Sequence, residues 1–142
     1  MSAQNFKNHA QFVPLFHLVT FFLAVAILIG SFVNLAHATA DNLYSSSLIC
    51  ATSVLLALYF WFIRSFPMKV QDRAIRAEEG LRHFILTQKP LDTRLSMGQI
   101  VALRFASDAE FPALAQRAVT ENMSSKEIKQ AIQNWRADYH RA

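Results

Sequence analysis

Residues 15–35 read LFHLVTFFLAVAILIGSFVNL and residues 43–63 read LYSSSLICATSVLLALYFWFI, and neither stretch contains a charged residue. At about 1.5 Å of rise per residue, a helix of that length spans the roughly 30 Å hydrocarbon core of a bilayer. A soluble helix of this length needs a polar stripe at helical spacing, and neither run has one. The two runs therefore predict transmembrane helices at about residues 14–35 and 43–63.

A cleaved signal peptide is the alternative interpretation of the first run, because residues 36–38 (AHA) resemble a small-x-small cleavage site. However, the run is longer than the apolar region of a typical signal peptide, and Lys7 is the one basic residue before it. We therefore expect the first run to remain in the chain as a membrane span.

The loop at residues 36–42 is short enough to predict an antiparallel hairpin. It has no basic residue and carries Asp41, whereas Lys7 precedes the first run. Four basic residues follow the second run: Arg64, Lys69, Arg73 and Arg76. Because lysine and arginine collect on the cytoplasmic side, we expect both termini there. The same four cations are candidates to bind anionic lipid headgroups.

The rest of the chain is polar by comparison. The whole sequence is 53% apolar with a net charge of +4, yet 13 of its 14 Lys and Arg residues lie in residues 64–142. This division excludes a uniform soluble globule and a disordered chain, and the single cysteine, Cys50, excludes a disulfide framework. We predict an N-terminal segment at 1–13, a transmembrane hairpin at 14–65 and a helical domain at 66–142.

The first helix of this domain is predicted over about residues 68–88. It either follows a break at Pro67 or continues the second span with a kink. Its apolar residues recur at alternating steps of four and three: Val70, Ala74, Ala77, Leu81 and Phe84. The pattern covers barely two heptads, which is too short to predict a coiled coil from the sequence.

Three further helices follow. Capping boxes predict the starts of two of them at Ser96 and Ser124, and Asp108 is predicted to cap the helix between these two. The last helix is expected to continue through Trp135 to Tyr139 on one apolar stripe. We expect Trp135 in the core; if it is exposed, it becomes an anchor for a partner protein.

The predicted fold class is all-α: a two-helix transmembrane hairpin followed by a small cytoplasmic helical domain of about four helices. No alternating β pattern occurs in the sequence, which has only three glycines. A core this small gives only marginal stability. We expect it to be stabilised by contacts with the helix that leaves the membrane, with the membrane surface or with a partner chain.

Small residues recur on both spans at steps of three and four, and such seams let helix backbones approach closely in lipid. The seam residues are Ala26 and Gly30 on the first span and Ser46, Cys50, Ser53 and Ala57 on the second. Two interpretations stay open. The seams either close the hairpin on itself or contact another protein.

The sequence suggests no catalytic, cofactor or metal site. It has no phosphate-binding glycine loop and no Cys/His metal spacing. Glu79 and His83, four residues apart, are expected to form a surface ion pair, because a second ligand pair is lacking. His17 is expected at the membrane interface, since the second span offers no histidine to share a haem. We therefore predict no enzyme and no cofactor.

Basic residues on the last predicted helix raise the question of nucleic-acid binding. Lys126, Lys129 and Arg136 are interrupted by Glu127 and Asp138. A usable footprint should be a continuous basic stripe, so we do not expect nucleic acid as a partner.

Three stretches of the sequence carry a resemblance: QNFKNH at 4–9, LRFASD at 103–108 and IKQAIQNWR at 128–136. They resemble those of small, uncharacterised bacterial inner-membrane proteins with two N-terminal spans and a helical cytoplasmic tail. The resemblance covers nearly the whole chain. It implies a bacterial inner membrane and brings no catalytic residue.

We expect a non-enzymatic integral membrane protein that acts in assembly, as a homo-oligomer or as an accessory subunit of a larger membrane complex. One alternative is a small homo-oligomeric channel, which would need polar residues such as Asn34, Ser46 and Ser53 turned to water. Another is a membrane-tethered tail that binds DNA or lipid. The expected partners are the bilayer, anionic lipid, and a second copy or another membrane subunit.

Overall fold

The computed structural model describes residues 4–6, 8 and 12–138, among which there are helices and connections but no strand. A π-helical stretch at Leu15–Thr20 leads into the first of five α-helices. These are α1 (Phe21–Ala36), α2 (Leu43–Thr87), α3 (Met97–Leu103), α4 (Phe111–Thr120) and α5 (Ser125–Ala131). The described residues therefore have the predicted all-helical character.

Two compact units divide the chain. The first is Phe12–Pro67, and the second contains the described residues before and after it. Two helices are long and apolar enough to cross a membrane, Leu15–Ala36 and α2. Only 6% and 17% of their most apolar windows are buried. The sequence thus predicted two helices with the length and composition of membrane spans.

In the first unit, α1 and α2 contact each other in reverse chain order. Asn34 Nδ2 donates a hydrogen bond of 3.1 Å to the Ser46 hydroxyl. One turn farther back along α1, the hydroxyls of Ser31 and Ser53 lie 2.7 Å apart. Later residues of α1 therefore meet earlier residues of α2, and the two helices run in opposite directions at this contact.

The second helix does not stop at the end of the apolar run. α2 continues through Pro67 to Thr87, so the structure takes the continuous form of the two alternatives at this proline. Proline contributes no N–H, and one helical hydrogen bond is therefore missing at this turn.

The core of the second unit is built mainly by α3–α5. Its largest fully buried side chains are Leu103, Phe105, Phe111 and Ile128. The part of α2 after Pro67 joins this core through Ile75. Burying each such large apolar side chain contributes about 1.5–3 kcal/mol, and these few residues make up a small core.

Both predicted capping boxes are confirmed. The Ser96 hydroxyl accepts from the Gln99 N–H, and the Gln99 side chain accepts from the Ser96 N–H at 2.8 Å. Ser124 and Glu127 form the same pair of bonds at the start of α5. The hydrogen bonds from the Ser124 hydroxyl and N–H hold the pKa of Glu127 below its usual value.

The predicted cap at Asp108 is wrong. α4 begins at Phe111, with Glu110 at its N-cap. The residues before it form a turn in which the Ser107 carbonyl accepts hydrogen bonds from the Glu110 and Phe111 N–H groups. The Asp108 carboxylate instead accepts a hydrogen bond of 2.7 Å from Arg82 Nε. Asp108 therefore binds Arg82, a residue 26 positions earlier in the chain, and does not cap α4.

The last helix is also shorter than predicted. α5 ends at Ala131, and Ile132 is already extended, with a ψ of 123°. Trp135 then pairs with Ala106 in an isolated antiparallel bridge. The predicted helix is therefore wrong beyond Ala131, and residue 139 lies outside the described residues.

Glu110 holds this extended segment in place. Its carboxylate accepts from the Gln133 N–H at 3.1 Å, from the Asn134 N–H at 2.8 Å and from Asn134 Nδ2 at 2.7 Å. Burial acts to raise the pKa of Glu110, but these hydrogen bonds outweigh it and lower the pKa. The two N–H groups would otherwise continue α5, so the carboxylate accounts for the end of the helix.

Arg82 links α2 to the rest of the second unit. It donates to Glu79 at 2.9 Å, to Asp108 at 2.7 Å and to the Ala106 carbonyl at 2.6 Å. Its guanidinium also lies 4.5 Å from the centre of the Phe111 ring. The side chains of Arg82 and Glu79 are only 10% and 7% exposed, so their charges depend on each other.

The predicted surface ion pair between Glu79 and His83 is therefore wrong. Glu79 is buried and binds Arg82, and His83 Nδ1 lies 2.9 Å from the Lys89 carbonyl. The two side chains are four residues apart, as the pattern required, but each has a different partner.

Replacing Arg82 by Met should destabilise the second unit strongly. The change leaves the buried Glu79 carboxylate without its cation, which costs about 3–5 kcal/mol. The matched control is Arg94→Met, because Arg94 pairs with Asp92 on the surface. Denaturant unfolding in detergent, followed by circular dichroism, measures both. Equal unfolding midpoints for the two variants would contradict this role of Arg82.

Candidate membrane and assembly surfaces

The chemistry-bearing groups of this chain are dispersed. The part of the chain that the structure describes contains no group of three or more His, Cys, Asp or Glu side chains that could hold a metal ion. The candidate functional features of the described residues are exposed or packed surfaces of helices, and the residues predicted from the sequence lie on several of these surfaces.

The predicted seam residues of the second span face α1. Ser46, Cys50 and Ser53 are buried and Ala57 is half-buried. This seam is therefore occupied by packing within the chain. Ser31, which meets Ser53 from α1, was not among the predicted seam residues. A polar residue in an otherwise apolar run was the available signal.

The predicted seam residues of the first span face the other way. Ala26 and Gly30 are exposed, and a Cβ atom built at Gly30 meets nothing within 4 Å. At about 100° per residue, Gly30 lies about 100° and Ala26 about 140° around α1 from Ser31. Neither residue is buried, so the other described residues leave this seam uncovered.

The apolar stripe of α2, defined as Val70, Ala74, Ala77, Leu81 and Phe84, is uncovered in the second unit. Val70 is 68% exposed, Leu81 61% and Phe84 47%. The opposite face of this helix makes the internal contacts, through Ile75 and the Glu79–Arg82 pair. The stripe is thus an apolar surface with helical spacing that the second unit leaves unpartnered.

Charged residues of opposite sign flank the α2 apolar stripe. Arg73 lies next to Ala74 on one side, and Glu78 lies next to Ala77 on the other. Both side chains are exposed, and neither forms an ion pair with any described residue. In a heptad whose first and fourth positions are the stripe, Arg73 and Glu78 occupy the two flanking positions that face a partner helix.

The four predicted headgroup-binding cations divide between the two units. Lys69, Arg73 and Arg76 are exposed and share one side of α2, at steps of four and three. Arg64 is half-buried and belongs to the first unit. None of the four forms an ion pair with a carboxylate of the described residues.

Trp135 is partly buried. Its ring lies 5.1 Å from the ring of Phe105, one of the largest buried side chains. Much of the indole is therefore used in packing against the core. The structure places Trp135 between the two sequence-based alternatives, a core residue and an exposed anchor.

The two ends of the described chain are hydrogen-bonded to each other. Gln4 Nε2 donates to the Asp138 carbonyl at 3.1 Å, and the Asp138 N–H donates to Gln4 Oε1 at 2.8 Å. The residue before the first apolar helix therefore belongs to the same unit as the tail. Nothing in the local sequence indicated this contact, because it joins residues 134 positions apart.

Comparison with known proteins gives a family and no activity. No curated protein and no solved structure matches the chain. One family of unknown function, DUF6526, matches over residues 1–142. Because that match covers the whole sequence, the chain belongs to the DUF6526 family.

Proposed function

We propose that this chain is a non-enzymatic integral membrane protein that acts by assembling with a second copy of itself. Two observations support membrane insertion. Leu15–Ala36 and α2 each have the length and composition of a span. Their large apolar side chains point outward, including Phe22, Ile29 and Trp61. Soluble monomers rarely expose apolar patches of this size.

The contact between Gln4 and Asp138 supports a transmembrane hairpin. Gln4 precedes the first apolar helix and Asp138 follows the second, so the chain must return to the side from which it started. An even number of spans satisfies this condition. The basic residues after the second span favour the cytoplasm for both ends. The bilayer in question, a bacterial inner membrane, is carried over from the resemblance described above.

The single observation that carries the assembly proposal is the exposed α2 apolar stripe. In two copies inserted in one bilayer, α2 emerges from the same side of the membrane, so the two α2 helices run parallel. In a parallel pair, Arg73 of one copy faces Glu78 of the other, five residues farther along. Arg73 and Glu78, which form no ion pair with any described residue, would then pair across the two-fold axis.

The stripe is short for a coiled coil, and the membrane compensates for this. Anchoring both chains in one bilayer raises their effective concentration, so a weak contact suffices. Ala26 and Gly30, exposed on α1, offer a close-packing surface to another membrane helix. As an accessory subunit, the chain would present the same stripe to a helix of another membrane protein.

The other functions weighed from the sequence have less support. A channel would need polar groups turned to water, and Asn34, Ser46 and Ser53 instead hydrogen-bond between α1 and α2. No observation favours DNA binding. Attraction of anionic headgroups to Lys69, Arg73 and Arg76 is compatible with assembly and accompanies it, at about 1 kcal/mol per cation near the surface.

A cysteine at position 81 should cross-link two copies in the membrane. In a Cys50→Ser background, Leu81→Cys places a thiol within the proposed contact, and mild oxidation should give a disulfide-linked dimer on non-reducing gels. The control is Arg76→Cys, which is also exposed but lies outside the stripe. Equal dimer yields from the two variants, or none from Leu81→Cys, would reject the stripe as the contact.

Charge reversal tests the register of the pair. Arg73→Glu and Glu78→Arg should each weaken dimerisation by about two- to tenfold, since each places like charges opposite one another. The double variant should restore most of the affinity. Sedimentation equilibrium in detergent measures the three constants. An additive loss in the double variant would mean that these two residues do not face each other.

A further inference from the structure

A groove of about 350 Å³ runs between the two helices of the first unit. Phe16, Ala24 and Ile27 lie on one wall, and Leu56, Phe60 and Ile63 lie on the other. The wall formed by α1 includes the small side chain of Ala24. A larger side chain at this position would fill the groove. The groove volume is within the range of small-molecule sites in proteins.

The chemistry of the groove favours a hydrocarbon occupant. Three of its lining residues, Thr20, Ser53 and Tyr59, carry a hydroxyl. Thr20 and Ser53 already donate hydrogen bonds to carbonyls of their own helices, at 2.9 Å to Leu15 and 2.7 Å to Cys50. The Ser53 hydroxyl also meets Ser31 across the helix contact. A ligand in the groove therefore finds mainly aliphatic and aromatic surface. The Tyr59 hydroxyl is the one polar group of the lining that forms no hydrogen bond with a described residue.

A cation lies beside one end of this groove. Arg64 follows Phe60 by four residues and is therefore on the same side of α2, and it directly follows Ile63, the last lining residue. It belongs to the same compact unit and forms no ion pair with a carboxylate of the described residues. A hydrocarbon groove that ends at a cation is complementary to a lipid with an anionic headgroup.

We propose that this groove binds one anionic phospholipid, with an acyl chain between α1 and α2 and its phosphate on Arg64. The inference rests on the proposed membrane insertion and adds a defined lipid site to it. Lipids that merely surround a membrane protein exchange without preference for one headgroup or one groove. The proposed site should prefer an anionic headgroup and should bind the lipid only in this groove, because it combines a fixed cleft with a single cation.

Native mass spectrometry of the delipidated full chain tests the proposal with phosphatidylglycerol and phosphatidylcholine as probes. We expect one phosphatidylglycerol per chain, bound more tightly than phosphatidylcholine. Ala24→Phe should abolish this binding by filling the groove. Ala51→Phe, the same change at an exposed position on the side of α2 that faces away from Ser53 and Phe60, should not affect it. Arg64→Gln should weaken binding about fivefold, whereas Lys89→Gln, at an exposed lysine of the second unit, should change it less than twofold.

Three results would overturn the lipid site. They are equal binding of the two lipids, equal loss in the Ala24 and Ala51 variants, and a dimer that takes up no phosphatidylglycerol when the lipid is added, as expected if a second copy fills the groove. Circular dichroism checks that each variant is folded; if Ala24→Phe is not, the comparison of Arg64→Gln with Lys89→Gln decides. Recovery of the wild-type chain outside the membrane fraction would instead refute the proposed function.

Discussion

The uncovered apolar surface of α1 and of the first part of α2 is the constraint on which the rest of the structure depends. The two helices hide mainly small polar side chains from each other, Ser31, Ser46 and Ser53, and leave their large side chains outside. In water this arrangement is costly, because each exposed large side chain forgoes about 1.5–3 kcal/mol of burial. In lipid the cost disappears, and the interhelical hydrogen bonds are favoured because the polar groups have few other partners there.

The second unit shows the complementary pattern. Its part of α2 uses a buried, charged face toward the chain's own core, through the Glu79–Arg82 pair, and leaves its apolar stripe exposed. A helix that served only its own domain would have the reverse arrangement. The small core of α3–α5 is fixed in part by polar links from distant residues, notably Arg82 to Asp108 and Glu110 to Asn134. The described residues of the second unit therefore leave the apolar stripe exposed.

The sequence predicted well the features that depend on neighbouring residues. The length of the two apolar runs gave the candidate spans, and the Ser96 and Ser124 capping boxes gave two helix starts, because each signal is complete within a few residues. It failed where a distant residue competes for a local group. Arg82 takes the carboxylate of Asp108, and Glu110 takes the N–H groups that would have lengthened α5. Neither partner can be identified from spacing.

Periodicity also identified which residues share a helix face, but it did not show whether that face is covered or exposed. The seam at Ala26 and Gly30 and the α2 apolar stripe were both visible as three-four patterns. Spacing alone could not show that both point away from the chain's own contacts, because a helical period is the same whether its face is covered or not. The contact of Gln4 with Asp138 left no local signal at all.

The most direct test of membrane insertion as a hairpin is the side on which single cysteines can be labelled. In a Cys50→Ser background, Ala40→Cys marks the loop between the two apolar helices and Arg94→Cys marks the tail. In intact bacterial cells, a membrane-impermeant maleimide should label the loop cysteine, and it should reach the tail cysteine only after the membrane is opened. Labelling of both from the same side would contradict a pair of spans with the tail in the cytoplasm.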